Sequence, residues 1–145
     1  MTKEAALYNF FSSLKRVQKT EDGTYIAVES SDDNNNVIAA YADTAVPKEA
    51  ALPYVTYSVA TSAFLEENVD LMVNIWCRTT SEAEVNAYVR QMGNLIPRGG
   101  TQIKCDNGAI WLKRGSPWCQ NLSDDIDETI KRRYFNVTAE YLTEE

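Results

Sequence analysis

The spacing of apolar residues near the start of the chain predicts an amphipathic helix. Five apolar residues recur at the spacing that places side chains on one stripe of a helix: Leu7, Phe10, Phe11, Leu14 and Val17. We expect Thr2 to cap this helix at its N-terminus and Glu21-Asp22-Gly23 to end it. Its last turn would then hold Lys15, Arg16 and Lys19. Cations are favourable at this position, because the C-terminal end of a helix carries the negative end of the helix dipole.

A second helix is predicted by a start signal and a second apolar stripe. Ser81 and Glu84 have the spacing of a capping box, in which the serine hydroxyl accepts a hydrogen bond from a free backbone amide. Apolar residues then follow at helical spacing: Val85, Tyr88, Val89, Met92 and Leu95. Pro97 ends the helix, because the residue before a proline disfavours helical backbone angles.

Alternation of apolar and polar residues predicts strands in the rest of the chain. The clearest lies at 69–78, where Met72 and Trp76 on the second face lead us to expect that this face is partly covered too. Further strands are predicted at 53–64, 101–105, 109–113 and 134–142, with weaker candidates at 25–28 and 37–41. Asp106-Asn107-Gly108 is a hairpin signal. These elements predict an α+β fold with a mostly antiparallel sheet and two helices packed on one face, in a single domain over residues 1–145.

The charge balance narrows the classes of partner. The chain carries 14 Lys and Arg residues against 21 Asp and Glu residues, a net charge of −7. Such a chain repels phosphate, which argues against sequence-independent binding of nucleic acid and against an anionic membrane surface. No apolar run reaches the roughly 18 residues that a membrane-spanning helix needs, so we expect no membrane partner.

Common catalytic motifs are missing from the sequence. It has no histidine, which removes histidine-based triads, zinc motifs and general bases. Cys77, Cys105 and Cys119 form no CxxC pair, so we interpret them as reduced thiols that are at least partly buried. Glycine-rich phosphate loops and nucleophile motifs are absent as well.

Two acidic segments allow a metal-binding and a plainer interpretation. Part of a calcium-loop spacing is present at Asp32, Asn34, Asn36 and Asp43. However, Val37 stands where that loop needs glycine, and a solvated turn is favoured. The carboxylate run Asp124-Asp125-Ile126-Asp127-Glu128 lies close to Lys131, so a helix start or an exposed interface loop explains it better than a metal site. We therefore predict no metal, no cofactor, no catalytic residue and no enzymatic activity, while a carboxylate-based site stays open.

Several stretches of the chain carry a family resemblance. They are Ala45-Val46-Pro47 with Leu52-Pro53-Tyr54-Val55-Thr56-Tyr57, the strand at 69–78, the helix opened by Thr80-Ser81, the run from Gly108 to Trp118, and Asp124-Asp125 with 130–142. Together with the first helix, they resemble the tail-terminator (tail-completion) proteins of tailed phages, minor tail proteins of siphophages and prophages of Gram-positive bacteria. The segment 25–36 has no place in that pattern.

The resemblance implies a structural role. Proteins of this kind form a ring, usually a hexamer, that caps the head-proximal end of the tail tube, ends tube polymerisation and helps to join head to tail. The implied partners are copies of the chain itself, the tail tube protein and a head completion or neck protein. The implied location is the virion tail, assembled in the host bacterial cytoplasm. DNA would pass through the lumen without specific binding, which an acidic chain favours.

Two alternatives to a tail terminator stay open: a head-side neck or connector protein, and a small α+β enzyme or regulatory binding protein. For the structural role we predict interface residues in two long, chemically diverse loops, because such loops carry contacts. They are Asp32, Asp33, Asn34, Asn35 and Asn36 in the first, and Arg114, Trp118, Asp124 and Asp125 in the second. We expect Arg114 and Trp118 to act as hot spots, so that Trp118→Ala leaves folding intact yet impairs ring formation.

Overall fold

A computed structural model of the protein describes residues 2–28, 37–42, 45–58, 68–123 and 129–143. The described residues form two helices and eight strands. In chain order these are α1 (Lys3–Phe11), β1 (Val17–Lys19), β2 (Tyr25–Ala27), β3 (Ala39–Ala42), β4 (Tyr54–Tyr57), β5 (Asn68–Arg78), α2 (Glu82–Leu95), β6 (Thr101–Cys105), β7 (Gly108–Ser123) and β8 (Ile130–Thr143).

Six of the strands form one mixed sheet, in the spatial order β3-β4-β5-β8-β7-β6. Its neighbouring strands are antiparallel except for β3 and β4, which run parallel. Strands β1 and β2 pair antiparallel in a separate two-stranded ribbon. The long central pair β5 and β8 fixes the alternation of side chains across the sheet. The predicted α+β fold with a mostly antiparallel sheet is confirmed.

Both helices pack on the same face of the sheet. The odd-numbered residues of β5 point into one core and are buried: Leu71, Val73, Ile75 and Cys77. Leu7 and Phe11 of α1 and Val85, Tyr88 and Met92 of α2 belong to that same buried cluster. Burial of apolar surface against one face supplies most of the driving force for this layered arrangement. The opposite face of the sheet carries neither helix.

The first helix is shorter than its apolar stripe predicted. It ends at Phe11, where the Ser12 amide donates to the Tyr8 carbonyl and the Ser13 hydroxyl donates to the Phe10 carbonyl at 2.6 Å. Serine hydroxyls that bond to nearby backbone groups compete with helix continuation. Leu14 still reaches the core, but the residues after it enter β1.

The basic residues Lys15, Arg16 and Lys19 therefore do not lie in a last helical turn, and that prediction was wrong. Over the few residues between Phe11 and Val17, a helix and an extended chain can both place the apolar side chains on one side, so the spacing alone does not distinguish them. Here the pairing of β1 with β2 decides for strand, with Val17 opposite Ala27. The Ile38 amide also donates to the Leu14 carbonyl at 2.9 Å, which ties this segment to the approach to β3.

The second helix and the hairpin follow their sequence signals. Ser81 caps α2, and its hydroxyl accepts from the Glu84 amide at 3.4 Å. In the turn between β6 and β7, Asn107 has a φ of 65°, a left-handed conformation that asparagine tolerates better than most residues. The candidates at 25–28 and 37–41 are present as β2 and β3.

Strand β7 is much longer than the predicted 109–113, since it continues to Ser123. The loop predicted from Arg114 to Asp125 is therefore wrong as far as Ser123. A bulge between Arg114 and Cys119 takes Pro117 out of the ladder with β8, so its missing amide hydrogen costs no ladder bond. The Pro117 carbonyl instead accepts from the Asn136 side-chain amide at 2.6 Å.

Glycine at position 115 is required by this bulge. A Cβ built on Gly115 would lie 2.8 Å from the Cβ of Asn136, closer than real side chains approach. The bulge therefore depends on a glycine on one strand and an asparagine on its neighbour. Of the predicted strand at 53–64, only 53–58 lies within the described residues, and β4 occupies 54–57.

Candidate interaction surface

The sheet face opposite the helices, which we call the open face, is the candidate functional surface. Strand alternation places the even-numbered residues of β5 and β8 on this face, together with their partners across the ladders. Its central members are Tyr41, Tyr54, Thr56, Met72, Asn74, Trp76, Arg132 and Tyr134. Unlike the covered face, it mixes aromatic, polar and cationic side chains.

An aromatic row crosses the open face. The ring centroids of Tyr41 and Tyr54 are 5.7 Å apart, and those of Tyr54 and Trp76 are 6.4 Å apart. The Arg132 guanidinium lies over the Trp76 ring, 4.9 Å from its centroid. Four adjacent strands thus contribute one residue each to a row that ends in a cation on an aromatic ring.

Side-chain hydrogen bonds hold this row in place. The Trp76 indole Nε1 donates to the Thr56 hydroxyl at 3.0 Å, and the Arg132 Nε donates to the Asn74 Oδ1 at 2.7 Å. Thr56 is itself buried. Because these side chains are already fixed, a partner that contacts them would lose little conformational entropy on binding.

Exposed apolar side chains occur both on the open face and on the side of the sheet that carries the helices, so sites of equal exposure can be compared. Met72 and Leu142 on the open face are each 48% exposed, whereas Tyr8 on α1 and Ile26 on β2 are each 49% exposed. Met72 lies near the middle of the open face, where its amide donates to the Ser58 hydroxyl at 2.8 Å. Met72 is therefore well placed to report on contacts at this face.

The charge of the protein is unevenly distributed. All 14 Lys and Arg residues lie in the part of the chain that the structure describes, but only 9 of the 21 Asp and Glu residues do. The described residues therefore carry a net charge of +5, and the remaining residues carry −12.

The open face shares the basic character of the described residues. Four cationic side chains lie on it: Arg78, Lys104, Lys113 and Arg132. The acidic members are Asp70 and Glu140, and Glu140 lies 3.9 Å from Lys113. Exposed pairs of this kind contribute little to stability.

The two predicted hot-spot residues that the structure describes lie on the other side of the sheet. The Arg114 guanidinium donates to the Ile96 carbonyl at 2.7 Å and to the Gly93 carbonyl at 2.9 Å, at the end of α2. It also lies 4.8 Å from the centroid of the Trp118 ring. The Trp118 ring packs edge-on against Phe135, with 5.0 Å between centroids.

Arg114 and Trp118 therefore have defined contacts within the chain, and Trp118 lies in a strand rather than in the predicted loop. Their role at an interface stays a prediction. The other predicted interface residues lie outside the described residues: Asp32, Asp33, Asn34, Asn35, Asn36, Asp124 and Asp125. Asp43 of the calcium-loop spacing lies outside them too.

The thiols that the structure places in the core are poor nucleophiles. Burial raises the pKa of Cys77 to about 12, and it also raises the pKa of Cys119. Both thiols are therefore protonated near neutral pH, whereas nucleophilic attack needs the thiolate. Across the described residues, no three or more cysteine, aspartate or glutamate side chains cluster so that they could hold a metal ion.

A small cleft lies between the ribbon and α2. Its volume is about 250 Å³, and it is lined by Tyr25, Ile26, Ala27, Ala87, Arg90, Gln91 and Asn94. The Arg90 guanidinium donates to the Tyr25 carbonyl across it at 3.4 Å.

Within the described ranges, neither helix is long and apolar enough to span a membrane. Neither a protein-family model nor a curated protein matches this chain.

The residues of the open face were only partly visible in the sequence. Alternation along 69–78 predicted that Met72 and Trp76 lie on the same face of the strand, opposite its apolar face. The partners that complete the row come from β3, β4 and β8, which are distant in sequence. No local motif signals such a row, because each strand contributes a single aromatic or cationic side chain.

Proposed function

We propose that this chain is a structural subunit of a tailed phage that forms a ring at the head-proximal end of the tail tube. The ring ends tube polymerisation and helps to join the head to the tail. In this role the protein makes and breaks no covalent bond. Its partners are copies of itself, the tail tube protein and a head completion or neck protein.

The observation that carries the proposal is the open face. A sheet face on which neither of the two described helices packs, lined by fixed aromatic and cationic side chains and by the exposed Met72, suits contact with another protein. Arginine, tryptophan and tyrosine are the residues that most often dominate the binding energy of protein interfaces. The thiols of the buried Cys77 and the half-buried Cys119 are protonated and offer no competing nucleophilic site.

The segments that resemble tail terminators support the same proposal by their arrangement. The run from Gly108 to Trp118 lies in β7, and the run 130–142 forms nearly all of β8 beside it. Tyr54 to Tyr57 is β4, which pairs with β5. The resembling segments thus form a contiguous part of the sheet and supply much of the open face.

Deletion of the gene from a phage or prophage that encodes this chain tests the proposal. If the chain caps the tube, deletion gives tails of uncontrolled length that carry no heads, and the wild-type gene restores tail length. Electron microscopy of the lysates measures both properties. Tails of normal length beside unattached filled heads would instead identify a head-side neck or connector protein. Normal virions in the deletion strain would contradict any assembly role.

A further inference from the structure

We infer that the cleft between the ribbon and α2 binds the carboxyl end of an extended peptide whose last side chain is apolar. The cleft lies apart from the open face, and this inference goes beyond the proposed ring without depending on it. Four features of the cleft point to this ligand: its tied walls, its single cation, its apolar lining and the outer edge of β2.

The two walls of the cleft are tied to each other, so its shape exists before a ligand binds. The Gln91 side-chain amide bonds to both backbone groups of Lys15, donating to its carbonyl at 2.7 Å and accepting from its amide at 2.9 Å. The Val17 amide donates to the Tyr88 hydroxyl at 3.1 Å. These bonds fix β1 against α2, and β1 in turn holds β2, which lines the cleft. A ligand that enters therefore causes little loss of conformational entropy in the protein.

The charge in the cleft selects an anion. Among the described residues that line it, Arg90 is the only charged one. Its bond to the Tyr25 carbonyl is long, and it forms no ion pair with a carboxylate in the described part of the chain. Asn94, one turn further along α2, adds a side-chain amide to the same lining. A guanidinium binds a carboxylate through two parallel hydrogen bonds, and one cation matches its single charge better than the charge of about −2 on a phosphate.

An apolar surface lies beside this cation. Ile26 is 49% exposed, and it lines the cleft together with Ala27 and the buried Ala87. Covering such surface is favourable, because apolar groups leave water. The volume of about 250 Å³ is below the roughly 300 Å³ at which most small-molecule sites begin, so the cleft suits a group about as large as one amino-acid residue. A carboxylate and an apolar group that both fit there must lie close together, as they do in the last residue of a peptide that ends in leucine, isoleucine or valine.

The outer edge of β2 accommodates the rest of the peptide. Thr20 and Thr24 form a hydrogen-bonded pair of the ribbon, since the Thr20 amide donates to the Thr24 carbonyl at 2.7 Å. Hydrogen-bonded and non-hydrogen-bonded pairs alternate along an antiparallel ladder, so the backbone groups of Tyr25 and Ala27 point away from β1. Arg90 reaches the Tyr25 carbonyl at this edge. An extended chain that adds to the edge as a further strand can therefore place its terminal carboxylate on Arg90.

Selection from a peptide pool tests this inference on the full-length protein. The probe is a pool of random hexapeptides with free carboxyl ends, which is passed over the immobilised protein, and mass spectrometry identifies the retained peptides. Arg90→Gln removes the cation of the cleft, and Arg98→Gln is the matched control at another exposed arginine, beyond the end of α2. Ile26→Ser in the cleft and Met72→Ser on the open face form a second pair, at 49% and 48% exposure. Thermal melts establish that each variant is folded.

We expect the wild-type protein and both controls to retain peptides that end in an apolar residue. Fluorescence anisotropy with the most enriched peptide should show at least about fivefold weaker binding to Arg90→Gln and to Ile26→Ser than to their controls. Amidation of the carboxyl end of that peptide should weaken binding to the wild-type protein by a similar factor.

The opposite results are equally definite. No enrichment over a protein-free surface, equal binding within either pair, or equal binding of the amidated peptide would overturn the inference. Enrichment of internal aspartate or glutamate would overturn it in favour of an acidic side chain. Competition by N-acetyl-leucine at the same concentration as the unlabelled peptide would overturn it in favour of a small free carboxylate. None of these measurements involves tail length in the deletion strain, so this inference and the proposed function fail separately.

Discussion

The two faces of the central sheet come from the same strands but differ in burial and in the side chains that they carry. On the covered face, Val73, Ile75 and Phe135 are fully buried under the helices, and their packing holds the fold together. On the open face, Trp76, Arg132 and Asn74 are held by specific polar and ring contacts and stay accessible. The difference shows that alternate residues of a single strand can build a packed core and an accessible surface, since successive side chains point to opposite faces.

The largest expected effect compares the two faces directly. Phe135→Ala removes a fully buried ring from the covered face and should lower the free energy of unfolding by about 3–5 kcal/mol. Met72→Ala on the open face should lower it by less than about 1 kcal/mol, because Met72 is half exposed. Chemical denaturation followed by circular dichroism measures both values. Similar losses for the two variants would mean that the open face is also part of the core.

The next effect concerns Trp118, which the sequence assigned to a loop and the structure assigns to the covered face. Trp118→Ala should lower the free energy of unfolding by about 2–3 kcal/mol, since its ring packs on Phe135 and Arg114 but is only partly buried. Urea denaturation of the variant measures the loss. An unchanged midpoint, together with weakened assembly, would restore the interpretation of Trp118 as an interface hot spot.

Arg114 tests the comparison of the two faces in a different way, because it is a cation whose side chain lies on the covered face and contacts the end of α2. Arg114→Met keeps much of the apolar stem but removes both hydrogen bonds to the Gly93 and Ile96 carbonyls. The expected loss is about 1–2 kcal/mol, because the end of α2 also loses a favourable charge. Hydrogen exchange should show the loss as faster exchange at the C-terminal turn of α2, with the N-terminal turn at Ser81 as the internal control.

The smallest expected effect concerns the one cationic side chain known to be buried on the covered face. Arg133 is only 3% exposed and forms an ion pair with Glu82, which also lies 3.0 Å from Lys131. Glu82→Gln should cost about 1 kcal/mol at neutral pH, a modest value because the Glu82 side chain is 60% exposed.

The pH dependence of the Glu82 effect has a definite sign. Hydrogen bonding from Lys131, with the nearby Arg133 charge, lowers the pKa of Glu82 in the folded protein. A carboxyl group with a lowered folded pKa stabilises the protein above its unfolded pKa, and this contribution is lost as the pH falls through the folded value. The difference in unfolding free energy between wild type and Glu82→Gln should therefore shrink below about pH 4.5. A difference that stays constant down to the acid transition would contradict this ion pair.

Local signals in the sequence predicted the parts of the fold whose structure depends on neighbouring residues. The capping box at Ser81, the hairpin at Asn107 and the alternation over 69–78 each appear where they were predicted. The extent of α1 and of β7 was not predictable in the same way. Both depend on pairing with another strand, namely the local hairpin of β1 with β2 and the distant partner β8, against which Gly115 and Asn136 form the bulge of β7.

The candidate surface was the least predictable part. Arg114 and Trp118 were predicted as interface hot spots because they were assigned to a long, chemically diverse loop. The bulge instead lets β7 continue and directs both side chains toward α2 and Phe135. The face that bears Met72 and Trp76 was expected to be partly covered, yet neither helix packs on it and the Trp76 ring forms part of the open face. Strand register decides such cases, and a shift by one residue would exchange the two faces.

By itself, the sequence determined that two helices lie among mostly antiparallel strands, which side of the clearest strands is apolar, and that the chain is acidic overall. These properties depend on spacing and composition, which are local or additive. Only the tertiary structure decided which strands lie side by side, that both helices cover the same face, and that Tyr41, Tyr54, Trp76 and Arg132 meet in one row. These outcomes depend on contacts between residues far apart in the chain, whose pairing is fixed by the packing of the whole core.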